Sequence, residues 1–168
     1  TNDPRDSNSI SGNVIMDIIE DKNSTLWVAI WSGGLNEYDR STNKFYTYWH
    51  NATDSTSISD NRVNHLYQDR IGTLWIGTYS GGLNMLIRPN GVDGPTCGRA
   101  KFVRYTHDPN DPTSISAGRV LAIREDAAGI MWVTTDEGVS RFDQSRGRLT
   151  RFTTDTRHTP AFKDKMIK

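Results

Sequence analysis

Three sets of side chains recur along this 168-residue chain, and each offers a chemistry. Asp21, Asp69 and Asp126 are carboxylates, the group that moves protons in many hydrolases. Trp27, Trp75 and Trp132 are broad rings of the kind on which a sugar can stack. A third set, Trp31-Ser32, Tyr79-Ser80 and Asp136-Glu137, combines rings, hydroxyls and charge. The surroundings separate the three. Each aspartate ends an apolar stretch and opens a turn, as in Asp69-Arg70-Ile71-Gly72, where such a side chain caps backbone amides. Each tryptophan sits mid-strand between apolar neighbours, in Leu26-Trp27-Val28, Leu74-Trp75-Ile76 and Met131-Trp132-Val133, where a large ring fills space between packed sheets. Both sets are therefore read as framework, and no residue is assigned a catalytic role.

Other chemistries find little support. His50, His65, His107 and His158 show no metal-ligand spacing. Asp21-Lys22-Asn23 and Asp108-Pro109-Asn110 lack the full ligand series of a calcium loop, and no metal or cofactor is expected. Cys97 is the single cysteine, which excludes an internal disulfide and a cysteine-rich zinc site. No phosphate-binding glycine loop or nucleophile elbow occurs. Basic and acidic residues balance at 20 each, which argues against nucleic acid as a partner. No apolar run is long enough for a membrane-spanning helix.

The elements that carry these residues form a repeat. Ser-Ile-Ser begins at Ser9, Ser57 and Ser114, followed in register by the aspartates, the tryptophans, the glycine turns Gly33-Gly34-Leu35, Gly81-Gly82-Leu83 and Gly138-Val139, and a closing aromatic segment. Within unit two, short runs rich in Val, Ile, Thr and aromatics cover 63–68, 73–78, 82–87 and 101–106, separated by turn residues. Four short strands per unit of roughly 40 to 50 residues describe a propeller blade. The expected fold is all-β: three four-stranded blades, an open fragment of a larger propeller. The boundaries are an incoming linker at 1–8 and blades at 9–56, 57–113 and 114–153. A surface insertion occupies 92–100, and 154–168 is a tail or truncated next unit. Unclosed wedge faces should leave apolar columns near Ile18 and Ile123 exposed.

Ser57-Ile58-Ser59-Asp60-Asn61-Arg62-Val63, then Asp69 to Thr78, then Gly81-Gly82-Leu83-Asn84 resemble the two-component regulator propeller repeat. The resemblance covers about residues 3–155, with unit two closest to the pattern. It implies a periplasmic sensor region of a bacterial signalling protein, whose kinase or cyclase output lies elsewhere, and in many members a carbohydrate signal. It also implies partners: the remaining blades of the parent chain, or another copy. Unit one departs from the pattern with Ala29-Ile30 in place of Gly77-Thr78, and unit three with Gly118 in place of Asn61.

In the usual propeller wiring, the loop entering the first strand shares one face with the loop joining strands two and three. The first set of loops carries Asn13-Val14, Asn61-Arg62 and Gly118-Arg119. The second carries Trp31-Ser32, Tyr79-Ser80 and Asp136-Glu137, and changes identity from unit to unit while the framework stays fixed. Trp31 and Tyr79 offer ring faces; Ser32, Arg62, Ser80, Arg119 and Asp136 offer charge and hydrogen bonds. This mix suits a polar ligand such as a saccharide. Two other readings are a self-assembling lectin-like scaffold and a propeller glycoside hydrolase. The second rests on a loose likeness of Asp-Arg-Ile-Gly-Thr-Leu-Trp to a sialidase turn and lacks an identifiable arginine cluster and tyrosine nucleophile.

Overall fold

The computed structural model of the chain describes residues 1–89, 95–144, 146 and 148–153. Turn residues divide the β-favouring runs into twelve strands, and no helix is present among the described residues. The first sheet contains β1 (Ile15–Glu20), β2 (Leu26–Ile30), β3 (Gly34–Asp39) and β4 (Lys44–Tyr48). The second contains β5 (Val63–Gln68), β6 (Leu74–Thr78), β7 (Leu83–Ile87) and β8 (Lys101–Tyr105). The third contains β9 (Val120–Glu125), β10 (Ile130–Thr135), β11 (Gly138–Asp143) and β12 (Arg148–Thr153). Each is an antiparallel meander in chain order, the form that short connections between neighbouring strands favour. These sheets are blades 1, 2 and 3. Their strands fall in turn within the expected ranges 9–56, 57–113 and 114–153.

The blades stack through their first strands, with β1 against β5 and β5 against β9. The interblade cores follow one rule. Trp27, Ala29, Leu35 and Tyr48 of blade 1 join Ile58, Val63, Leu66, Leu74, Ile76, Leu86 and Phe102 of blade 2. Trp75 and Leu83 of blade 2 then join Ile115, Val120, Ile123, Met131, Val133, Phe142 and Leu149 of blade 3. Each blade therefore turns its tryptophan face toward the next blade and its isoleucine face toward the one before.

That polarity corrects the expectation for Ile123, which is 0% exposed because blade 2 covers it, while Ile18 is 56% exposed. On the other outer face it is Trp132, half-buried and stacked on Phe152 at 6.1 Å, that among the described residues lacks the cover Trp27 and Trp75 have. A second correction concerns the expected surface insertion 92–100. Residues 92–94 lie outside the described residues, but the stretch from Pro95 to Ala100 folds back onto blade 1 and Thr96 is fully buried. The expected tail, 154–168, also lies outside the described residues.

Two local devices set the end of each blade where the candidate loops lie. The pairing of the first two strands slips at Ile15/Asp17, Val63/His65 and Thr134/Thr135. Such irregularities bend the strand and re-aim the residues beside it. Gly34 and Gly82 have φ of 71° and 75°, and a side chain on either would collide with the carbonyl oxygen of Tyr48 or Tyr105. Glycine therefore closes the turn between strands two and three.

Candidate functional site

The framework aspartates are fully committed. Asp21 Oδ1 accepts from the amides of Asn23 and Thr25 at 2.8 and 3.0 Å, and Oδ2 from the Trp27 indole at 2.7 Å. Asp69 accepts from the Thr73 amide at 2.8 Å and the Trp75 indole at 2.9 Å. Asp126 accepts from the amides of Ala128 and Ile130 and from the Trp132 indole, at 2.9, 3.0 and 2.9 Å. The indole, then the Ile130 amide, hold Asp126 below the usual carboxylate range. These carboxylates fasten the turn after the first strand to the ring in the next strand. Sequence reasoning anticipated the amides and missed the indole, although the constant Asp-to-Trp interval carried the signal.

The variable loops meet on one face. Within each blade the second-to-third-strand loop is tied to the incoming loop: Trp31 N–H to Val14 O at 2.9 Å, Tyr79 N–H to Arg62 O at 2.9 Å and Asp136 N–H to Arg119 O at 3.3 Å. Gly34 N–H donates to Asn61 O at 2.8 Å, which crosses from blade 1 to blade 2. The candidate side chains consequently form a chain across three blades. The rings of Trp31 and Tyr79 meet edge to face at 5.1 Å. The Arg62 guanidinium lies over the Tyr79 ring at 4.5 Å and that of Arg119 at 5.7 Å. Tyr79 remains 37% exposed. Its ring is therefore not the bare face expected from sequence but the centre of a cluster with two cations and an indole edge.

Each arginine has a carboxylate beside it. Arg62 makes a forked pair with Asp60, at 3.2 and 3.1 Å, and donates to Ser80 Oγ at 2.6 Å. Ser80 donates from its amide and hydroxyl to Asp60 Oδ2 at 2.9 and 2.8 Å. Burial works to raise the Asp60 pKa, but the Arg62 and Ser80 hydrogen bonds outweigh it and hold the carboxyl low. Asp60 was not among the residues selected from sequence. Gly12 and Ala117 occupy its place in the other units, and that difference was the available clue.

Arg119 is held more loosely. Its amide donates to Asp136 Oδ1 at 2.6 Å, while its Nε lies 4.0 Å from Asp136 Oδ2. That is beyond hydrogen-bond reach, so the covered Nε–H has no partner. Gly118 allows this approach: with φ of 87°, a side chain there would fall on Asp136 Oδ1. Of the seven residues proposed from sequence, Trp31, Arg62, Tyr79, Ser80, Arg119 and Asp136 belong to this network. Ser32 is exposed at φ 58° and makes no hydrogen bond to them.

His50 and His107 do equivalent structural work, each facing a carbonyl, Ile58 O or Ile115 O, at 2.9 Å through Nδ1. His65 lies 2.9 Å from Asp17 at the junction of blades 1 and 2. His158 lies outside the described residues.

Three antiparallel four-stranded sheets, stacked by their first strands and fastened by a repeated Asp–Trp pair, define a β-propeller repeat array. Residues 57–80 match the model of the two component regulator propeller family. The match lies within unit two, and units one and three reproduce its Asp–Trp framework. No curated protein matches the chain. Among solved structures, the chain is similar to the extracellular domain assigned to the hybrid two component system BT3049 of B. thetaiotaomicron. The identity is 28%, the TM-score 0.70, and 87% of this chain and 19% of that one are covered. It is also similar to the extracellular domain assigned to the one component system BT4673 of the same organism, at 25% identity and TM-score 0.61, with 85% and 19% covered. The chain thus spans 19% of the length of these solved chains.

Proposed function

We propose that the chain is a ligand-recognition segment of a bacterial signal-transduction receptor, facing the periplasm, and that its ligand is a polar molecule of the carbohydrate class. The observation that carries this reading is the network of Trp31, Tyr79, Arg62 and Arg119. It spans three blades on one face, at positions where the repeat changes residue while the framework holds. Half-exposed rings beside guanidinium groups suit a molecule with both C–H faces and hydroxyls. The likeness to extracellular domains of two component and one component systems supports the setting. A segment of this kind acts by binding, with the ligand's energy favouring one arrangement of the whole receptor. Further blades, from the parent chain or another copy, are proposed as the partners that cover Ile18 and Trp132.

Calorimetry against a saccharide panel tests this reading. A binding saccharide should lose affinity by about tenfold or more in Tyr79→Ala and Arg119→Ala, the size expected when a central contact is truncated. Ile71→Ala, an exposed side chain in the β5–β6 turn at the opposite end of blade 2, should bind as the parent does. A saccharide that binds all of these variants equally would contradict the placement of the site.

A further inference from the structure

Glu37 has no counterpart in the repeat. It sits on β3, fully buried, where unit two carries Met85 and unit three Arg141. A buried carboxylate persists only with donors around it, and here blade 2 supplies three of them. Thr96 donates to Glu37 from its amide, and from its hydroxyl at 2.8 Å. The Gly98 amide lies at 3.4 Å from the same carboxylate. Tyr48 adds its phenol at 2.6 Å, and that phenol in turn contacts Thr96 Oγ1 and accepts from the Ala100 amide at 3.4 Å. Burial first, and then the Glu37 charge, drive the Tyr48 pKa well above the ordinary phenol value, so it stays a donor. The stretch from Pro95 to Ala100 is thereby strapped across the junction of blades 1 and 2. Arg88, at the start of the same connection, reaches Asp21 and lies over the Trp27 ring at 5.8 Å.

Among the described residues, the next junction has no such strap. Tyr105 replaces Tyr48, Met85 replaces Glu37, and the connection between β11 and β12 is only four residues long. In the corresponding place an open groove of about 680 Å³ remains, lined by Tyr105, Ile115, Phe142 and Leu149 among others. The strapped junction is also the one that the Trp31–Tyr79 contact crosses.

We propose that Glu37 is a positioning residue: by anchoring the 95–100 strap it fixes blade 1 against blade 2 and so sets Trp31 against Tyr79. The proposal rests on the reading of that pair as the ligand site, but its test needs no ligand and can fail independently of ligand binding. Amide exchange and ring shifts are measured by NMR on the full chain, with Glu37→Met, which installs the residue of unit two, and Glu37→Gln, which keeps an acceptor. In Glu37→Met the Thr96 and Gly98 amides should exchange about 10- to 100-fold faster, the loss expected for bonds to a charged acceptor. The Tyr79 ring signals should shift as the Trp31 edge moves away, and Glu37→Gln should restore both in part. The Arg70 amide, bonded to Glu125 at 2.8 Å across the other junction, should be unaffected. Thr96→Pro removes the amide and hydroxyl donors of residue 96 and should give the same acceleration at the Gly98 amide and the same Tyr79 shift from the opposite side, should Glu37→Met not fold. Strap amides released with unmoved Tyr79 signals would overturn the positioning role. Equal acceleration at both junctions would overturn it also, by reducing Glu37 to a contributor to global stability.

Discussion

Trp75→Ala probes the wedge packing most sharply. The ring is 0% exposed and contacts Tyr105 at 5.8 Å within its own blade and Phe142 at 5.7 Å in the next. Deleting a buried ring of this size costs about 3–5 kcal/mol. The deletion also strands Asp69, which is 1% exposed and loses its indole donor; a buried group left unsatisfied costs about 1–3 kcal/mol. Blade relaxation absorbs part of this, so the expected loss is about 4–5 kcal/mol. Trp75→Phe retains most of the packing and should lose about 2 kcal/mol, mainly from Asp69. Trp132 has the same bonded aspartate but is only half-buried among the described residues, and Trp132→Ala should cost about 1–2 kcal/mol because less area is returned to water. Urea unfolding of the three variants, with slopes checked for constancy, measures the series. A Trp132→Ala loss equal to that of Trp75→Ala would refute the assignment of tryptophan faces to the following blade.

Further outcomes follow from the same geometry. Burial lowers the His65 pKa below 6.5, opposed by the Asp17 charge and aided by Arg124. The unfolded chain therefore binds the extra proton first, and this contribution to stability is complete above 6.5 and declines as pH falls toward the folded value. Thermal melts should lose stability over that window, and His65→Gln should flatten the slope; an unchanged slope would remove His65 from the account. Ile15 and Ile18 on the open face of blade 1 are each 56% exposed, and an apolar face of this kind favours association. The 168-residue chain should sediment with a concentration-dependent mass at micromolar concentration, and Ile18→Lys should reduce it; a concentration-independent monomer would contradict this.

Sequence showed the blades because the repeat is written in turn chemistry and β-favouring runs, both local. It showed the variable loops as well, since Trp31, Tyr79 and Asp136 stand at equivalent positions with unlike side chains. Facts that depend on through-space partners were hidden. Nothing in the Ser57–Arg62 segment says that Arg62 folds over Tyr79 or that Asp60 bridges Arg62 to Ser80. The polarity of blade packing decides that Ile18 is bare and Ile123 covered, and equivalent residues in a repeat carry no mark of which neighbour they face. Glu37 and Thr96 lie far apart in the chain, and the glycine- and proline-rich composition around Thr96 reads as exposed loop until the carboxylate it meets is seen.

The central claim, that the face holding Trp31, Arg62, Tyr79 and Arg119 is the recognition surface, is tested most directly by following backbone and indole N–H signals while a binding saccharide from the panel is added. The account predicts shifts concentrated at the Trp31 indole and at the amides of Arg62, Tyr79, Ser80, Arg119 and Asp136, with the Trp75 indole unmoved. Shifts centred instead on the groove of Tyr105, Ile115 and Leu149, with Trp31 and Tyr79 silent, would contradict it.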